Sequence, residues 1–172
     1  MESTCWLPPL ELYENYNNDW KMYEEMLYDI FKADFIDSKP QYDGRPVNIR
    51  RHPMEYDKEE AFFHITCEDF HKNRNRTPDF RRCERIRWVR SFIENHNCDP
   101  AFCVDCEGIK IWYEGVGSNK RVHMLLEEER YLVVVEIRES YCLLITAFYI
   151  ERDNTLAKRL KHYYDYINGN TI

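Results

Sequence analysis

Residues 108–151, GIKIWYEGVGSNKRVHMLLEEERYLVVVEIRESYCLLITAFYIE, decide the fold. Apolar and polar side chains alternate through this stretch with the period of two that a pleated strand imposes. Four runs stand out, IKIWYEG, RVHMLLEEE, RYLVVVEIRE and YCLLITAFYIE, joined by turns of a few residues. Connections that short suit antiparallel neighbours, because a parallel crossover needs about a dozen residues or more. An antiparallel meander over 108–151 is therefore expected.

Upstream the period changes to that of a helix. Residues 11–33 carry Leu12, Tyr16, Trp20, Tyr23, Leu27, Ile30 and Phe31 at helical spacing. A second helix is expected to open with Thr77 as N-cap and Pro78 at the first helical position, and to run DFRRCERIRWVRSFIEN. Between the two, FIDSKPQYDGRP reads as a turn-rich connector and VNIRR as a short strand. EEAFFHITCEDF stays open between strand and helix start, and HKNRNR reads as a polar loop. TLAKRLKHYYDYI closes the chain as a helix. The sum is an α+β fold in one domain over 1–172: a helical part over about 10–95, the sheet, and a C-terminal helix over about 154–167, with the N-terminal helices packed on the sheet.

Charge is unevenly spread along this chain of 172 residues with net charge −7. Such a balance argues against a protein that coats nucleic acid through overall charge. Residues 1–70 hold sixteen acids against seven bases, whereas 71–90 hold eight bases against Asp79 and Glu84. A solvated charge run is the simple reading of that basic strip, and two of its arginines resist it. At about 100° per residue, Ile86, Val89 and Ile93 define an apolar stripe; Arg82 projects almost onto its centre and Arg85 onto its shoulder. A guanidinium against a core costs several kcal/mol unless paired, so these two require either buried partners or an anionic ligand.

Other candidates carry paired readings. His64, in AFFHIT, is either a core histidine bonded to a carbonyl or a general acid or base beside the basic strip. In RVHMLL, alternation puts Val122, Met124 and Leu126 on one face and Arg121, His123 and Leu125 on the other; Arg121 and His123 are a phosphate clamp with a second titratable group, or simply an exposed sheet face. Thr146 and Tyr149 fall on opposite faces of the last strand, so both serve one site only where a bulge or the strand end intervenes. That strand is more apolar than a half-exposed one should be.

The N-terminus has no basic leader followed by an apolar run, and no segment approaches the ~20 apolar residues of a membrane span. A cytoplasmic protein without membrane partners is expected. Seven cysteines, an odd count, then read as buried thiols or metal ligands rather than disulfides. His96, Cys98, Cys103 and Cys106 form a competing zinc reading, a knuckle with all its ligands in one loop. No phosphate-cradling glycine loop or metalloprotease motif occurs, and no cofactor is expected.

A histidine, inward arginines and hydroxyls suit phosphodiester cleavage through the ribose 2′-OH, with proton transfer by the imidazole and charge stabilisation by the guanidinium groups. The residues F-x-H-I at 62–65, R-x-x-R-I-x-W at 82–88, R-x-H at 121–123 and L-L-I-T-A-F-Y at 143–149 resemble the phage-associated nucleases of the barnase, EndoU, colicin and RelE grouping, the BECR fold. The resemblance covers roughly residues 10–165. It implies N-terminal helices on an antiparallel sheet and a metal-independent endoribonuclease of phage or toxin type. Carried over, it implies catalytic groups at His64, Arg85, Thr146 and Tyr149, and substrate contacts from Arg82, Arg121 and His123. RNA is the implied partner, and a protein inhibitor or antitoxin a second one. Two departures are the acidic net charge and Phe148-Tyr149 in place of a T-A-Y ending. The rival reading is a catalytically silent phage or host-defence protein that uses the basic strip to bind RNA or a protein, with or without a structural zinc knuckle.

Overall fold

A computed structural model describes residues 6–70, 75–101, 103 and 107–169. Its architecture is α+β: N-terminal helices, a curled, mixed six-stranded sheet and a C-terminal helix.

The first helical region is broken. Tyr13–Tyr16 forms a single 3-10 turn, Asn17 and Asn18 take left-handed backbone at φ 56° and 52°, and α1 begins only at Trp20, running Trp20–Lys32. Asparagine tolerates that conformation better than most side chains, and Asp19 then caps α1 by accepting from the Met22 N–H at 3.1 Å. A π-helical turn, Ala33–Asp37, leads into the short strands β1 (Gln41–Tyr42) and β2 (Arg45–Asn48). The ambiguous apolar run divides into helix α2 (Glu60–Thr66) and strand β3 (Cys67–Phe70), which pairs antiparallel with β4 (Asn75–Pro78). Part of the expected polar loop, 71–74, lies outside the described residues.

The basic helix departs from expectation in two ways. Thr77 and Pro78 belong to β4, and the cap is Asp79, whose carboxylate accepts from the N–H groups of Arg81 and Arg82 at 2.9 and 3.4 Å. The run also divides at Arg85 into α3 (Phe80–Glu84) and α4 (Ile86–Glu94). The cause is tertiary. The Glu84 carbonyl, which a continuous helix would present to the Trp88 N–H, accepts from the Glu11 N–H at 2.9 Å, and the Trp88 N–H turns to the Arg85 carbonyl at 2.9 Å.

Beyond Gly108 the meander appears as β5 (Lys110–Val116), β6 (Asn119–Leu126), β7 (Tyr131–Ile137) and β8 (Cys142–Tyr149), followed by α5 (Asp153–Ile167). The strand order is β1-β2-β8-β7-β6-β5, with β2 parallel to β8 and all other pairs antiparallel. Both faces of the sheet are covered. Val122, Met124, Leu126, Tyr131, Val133 and Leu144 pack against Tyr23, Leu27, Phe31, Phe62, Val89 and Phe92, while Leu125, Leu132, Val134 and Ile150 meet Leu156, Leu160 and Tyr163 of α5. Double coverage accounts for the apolar character of β7 and β8, because a strand buried on both faces has no solvent side to keep polar.

β8 pairs with β2 only through Cys142 and Leu143. Past that point its outer edge meets α2 and α3 rather than a strand. A bulge at Ile145 bends it there: Val135 faces Leu144 while Val134 faces Thr146, which leaves Ile145 unpaired across the ladder. This bent edge is where the candidate site forms.

Candidate active site

Helix α2 sets Glu60 and His64 one turn apart on one face, and the His64 Nε2 lies 3.3 Å from Glu60 Oε1. A carboxylate acceptor at Nε2 selects the Nε2–H tautomer, leaving Nδ1 as the basic nitrogen of the neutral ring. The side chain is 32% exposed, so solvent protons can reach it. From β4, Arg76 approaches the same carboxylate: its Nη2 is 3.8 Å from Glu60 Oε1, Nη1 donates to the Glu60 carbonyl at 3.5 Å, and the guanidinium lies 5.0 Å above the Phe63 ring. Glu60 thus ties the imidazole to a cation.

Arg82 joins three elements. Its Nε donates to Asp79 Oδ2 at 3.3 Å, its Nη1 donates to the His64 carbonyl at 2.9 Å, and its guanidinium sits 5.4 Å from the Phe148 ring of β8. The inward direction read from the helix is retained, with 18% of the side chain exposed. The buried partners are an N-cap carboxylate and a backbone carbonyl.

His64, Arg76 and Arg82 line one pocket of about 160 Å³ together with Phe63, Cys67, Glu68 and Thr146. Two larger troughs open from it. One, of about 500 Å³, shares Phe63, Cys67 and Arg76 and extends to Trp20 and Tyr56; the other, of about 530 Å³, shares Glu68 and Arg82 and extends past Arg81, Tyr149 and Arg152. Two guanidinium groups, an imidazole, a hydroxyl and the Glu68 carboxylate thus surround one small cavity. Cys67 does not supply a nucleophile there. Burial pushes its thiol pKa up, against the opposing pull of the Thr66 hydroxyl and Arg76, so it stays protonated near neutral pH.

In comparisons with known proteins, no family model, curated protein or solved structure matches this chain.

Not every residue proposed from sequence converges on the pocket. Thr146, immediately after the bulge, lines it, but alternation resumes beyond the bulge and turns Tyr149 to the other face. Tyr149 lines the second trough, its ring 4.5 Å from the Arg81 guanidinium and 4.8 Å from that of Arg85. Arg85 itself is 9% exposed. It donates to the Arg81 carbonyl at 3.0 Å and lies 5.0 Å from the Trp88 ring, while its Nε is buried with no partner. It packs behind the pocket wall rather than in it.

Arg121 and His123 lie elsewhere, on the face that α5 covers. Arg121 pairs with Glu136 at 3.0 Å. His123 is 4% exposed, stacks on Trp112 with ring centroids 4.9 Å apart, and faces Glu114 at 3.6 Å. His162 of α5 takes the other oxygen of Glu114 at 2.7 Å. Burial pushes the His123 pKa down to about 4, outweighing Glu114, so the ring is neutral near pH 7. Arg121 is thus tied to Glu136 at a partly exposed position, and His123 belongs to an internal seam between sheet and helix.

The candidate zinc ligands lie only partly within the described residues. His96 hydrogen-bonds through Nδ1 to the Ile93 carbonyl at 2.7 Å and packs 4.5 Å from the Tyr42 ring. Cys106 lies outside the described residues, and among those described no three His, Cys, Asp or Glu side chains are grouped to hold a metal ion. Cys67, Cys83 and Cys142 are buried thiols. No helix among the described residues is long and apolar enough to cross a membrane.

Two pocket residues, Arg76 and Glu68, have no site role in the sequence reading, and neither has Glu60, which contacts His64 from outside the lining. Glu60 was within reach, since it precedes His64 by four residues; the undecided strand-or-helix character of that run hid the relation.

Proposed function

We propose that the chain is a cytoplasmic endoribonuclease of the phage or toxin type, cleaving RNA by attack of the ribose 2′-oxygen on the adjacent phosphorus. The observation that carries this reading is the shared pocket of His64, Arg76, Arg82 and Thr146 at the bent edge of β8. The 2′-OH proton passes to a base, the 2′-oxygen bonds to phosphorus, the P–O5′ bond breaks, and the departing 5′-oxygen takes up a proton. The products are a 2′,3′-cyclic phosphate and a 5′-hydroxyl, so no water is consumed in this step. His64, oriented by Glu60, carries the proton. Arg76 and Arg82 stabilise the charge gathered on the non-bridging oxygens, and Thr146 donates a hydrogen bond to one of them. In this reading the two guanidinium groups carry the charge stabilisation, and no metal takes part in the step. Arg81 and Arg152, in the adjoining trough, suit the next phosphate of the strand.

One observation favours the rival, a non-catalytic protein that binds RNA or a protein partner. Arg82 already has two hydrogen-bond partners within the chain, so its burial is explained without a ligand. The readings separate in one assay. Mixed RNA is incubated with the protein in EDTA, beside His64→Ala and Arg76→Ala. EDTA-resistant cleavage that falls in both variants supports the nuclease; RNA retained on the wild-type protein but left intact supports the rival.

A further inference from the structure

Helix α5 rests on the sheet less deeply than the helices of the opposite face. None of its 15 residues is buried, whereas α4, only 9 residues long, buries Ile86, Trp88, Val89, Phe92 and Ile93. Leu156, Leu160 and Tyr163 are half-buried over Trp112, Leu125, Leu132 and Val134. The start of the helix is clamped, because Arg130 donates to the carbonyls of Ile150 and Glu151 at 2.7 and 3.0 Å and pairs with Asp153 at 2.9 Å. Glu151 and Arg152, exposed between β8 and α5, form a joint about which the remainder can swing.

The polar seam beneath the helix is poor in acceptors. His123 is 4% exposed and stacked on Trp112. Glu114 of β5 is the carboxylate that faces it, but Glu114 Oε1 already accepts from the Trp112 N–H at 3.0 Å and from His162 of α5 at 2.7 Å. Its Oε2 stands 3.6 Å from His123 Nε2, beyond hydrogen-bond length. Arg159 of α5 is the opposing cation, near enough to act against a charge on His123, and its Nε is buried with no partner. The other charges around the seam are paired elsewhere: Arg121 of β6 with Glu136 of β7 at 3.0 Å, and Lys110 of β5 with Glu127 at 2.8 Å.

While His123 is neutral, the seam sets one carboxylate, Glu114, against one guanidinium, Arg159. A proton on the ring leaves Glu114 between two cations, and a further proton on His162 adds a third. Such a surplus is unfavourable in a space closed to water and is relieved by hydration. Burial is the main cause that holds the His123 pKa down to about 4, with Glu114 opposing it and Arg159 adding to it. Once in water the ring returns toward its ordinary value of 6.5. Acid therefore favours a form with His123 hydrated, beginning below about 6.5 and complete near 4. Releasing α5 alone hydrates the seam, because Val122, Met124 and Leu126 pack with Leu27, Val89 and Phe92 on the other face.

We propose that α5 is an acid-released cover: proton uptake by His123 swings the helix off the sheet about Glu151 and Arg152 and bares the apolar face of Trp112, Leu125, Leu132 and Val134, while the rest of the domain stays folded. This device is independent of the nuclease reading, since neither His123 nor the groups that face it line the pocket of His64.

Hydrogen exchange of the full-length protein, followed by mass spectrometry at pH 7.5, 5.5 and 4.5 and corrected for the intrinsic pH dependence of exchange, compares α5 with α4 in the same sample. Between pH 7.5 and 4.5 the protection of residues 156–167 is expected to fall about tenfold or more relative to α4. His123→Gln, which takes up no proton in this range, is expected to keep that fall below about threefold. Arg159→Gln removes the facing cation and keeps the histidine, so the fall moves to lower pH. Protection of α5 that follows α4 at every pH, an equal loss in both helices, or an undiminished fall in His123→Gln overturns the proposal. Where His123→Gln does not fold at pH 7.5, Arg159→Gln carries the test, and a midpoint unchanged from wild type overturns the proposal.

Discussion

Two histidines, each beside a glutamate, stand on different sides of this molecule and have opposite fates. His64 pairs with Glu60 on a short helix, 32% exposed, in a pocket with two guanidinium groups. His123 pairs with Glu114 under α5, stacked on Trp112, and its glutamate is shared with His162 and the Trp112 N–H. Burial lowers the His123 pKa, although Glu114 is drawn below its ordinary range: burial would raise it, and the Trp112 N–H and the two imidazoles overcome that effect. The same residue pair is partly exposed at a pocket in one place and forms an internal hydrogen-bonded seam in the other. What separates them is coverage. The sheet face carrying His123 is closed by α5, whereas the edge beside His64 has no strand partner beyond Leu143 among the described residues.

The contrast breaks most readily by exchanging which histidine is removed. His64→Ala is expected to lower the RNA cleavage rate by about 10²- to 10⁴-fold while leaving the melting temperature within a few degrees. His123→Ala is expected to do the opposite, removing roughly 2–4 kcal/mol of stability through the cavity beside Trp112. That is a fall of roughly 5–15 °C in melting temperature for a domain of this size. A His123 variant that melts normally but no longer cleaves RNA would dissolve the distinction.

Acid sharpens it. A histidine whose folded pKa lies below its unfolded value contributes stability that is complete above the unfolded pKa and is lost as pH falls through the folded one. For His123 the window runs from about 6.5 down to about 4, and the loss reaches at most roughly 3 kcal/mol. Thermal melts from pH 7.5 to 4 are expected to show this decline in wild type and a shallower one in His123→Gln.

Smaller effects test the walls. Arg85→Ala is expected to cost about 1–3 kcal/mol, because it removes one carbonyl hydrogen bond and two aromatic contacts, with cleavage changed far less than in Arg82→Ala. Asp34 sets the opposite pH sign to His123. Burial raises its pKa to about 6 against the pull of Arg90, so its ionisation opposes folding as pH rises from about 4 to 6. Asp34→Asn is expected to raise the melting temperature at pH 7.5 more than at pH 4, as a pair of melts would report.

How far such a site can be read from a linear chain follows from the same contrast. The period-two alternation of 108–151 predicts the four meander strands, because each side chain's face follows from local geometry. The faces themselves are legible too: Val122, Met124 and Leu126 enter one core and Leu125 the other. What alternation cannot convey is which face a distant helix will cover, and for that reason His123 reads as half of a clamp with Arg121 yet lies in a seam under α5. The helix breaks share this origin. Nothing near Arg85 predicts a division of α3 from α4, since its cause is a hydrogen bond from Glu11, more than seventy residues earlier. β2 lying parallel to β8 is a long-range pairing of the same kind. By contrast the inward direction of Arg82 survives the break, and His64, Arg82 and Thr146 meet in one pocket.

Attack by the 2′-oxygen in the pocket at the edge of β8 leaves its mark on the cut ends. A 5′-labelled RNA and a copy carrying 2′-deoxyribose throughout are incubated with wild-type protein in EDTA. Fragments ending in a 2′,3′-cyclic phosphate are expected from the RNA, with no cleavage of the deoxy copy. Fragments ending in a 3′-hydroxyl, cutting of the deoxy copy, or an RNA left intact would contradict that attack.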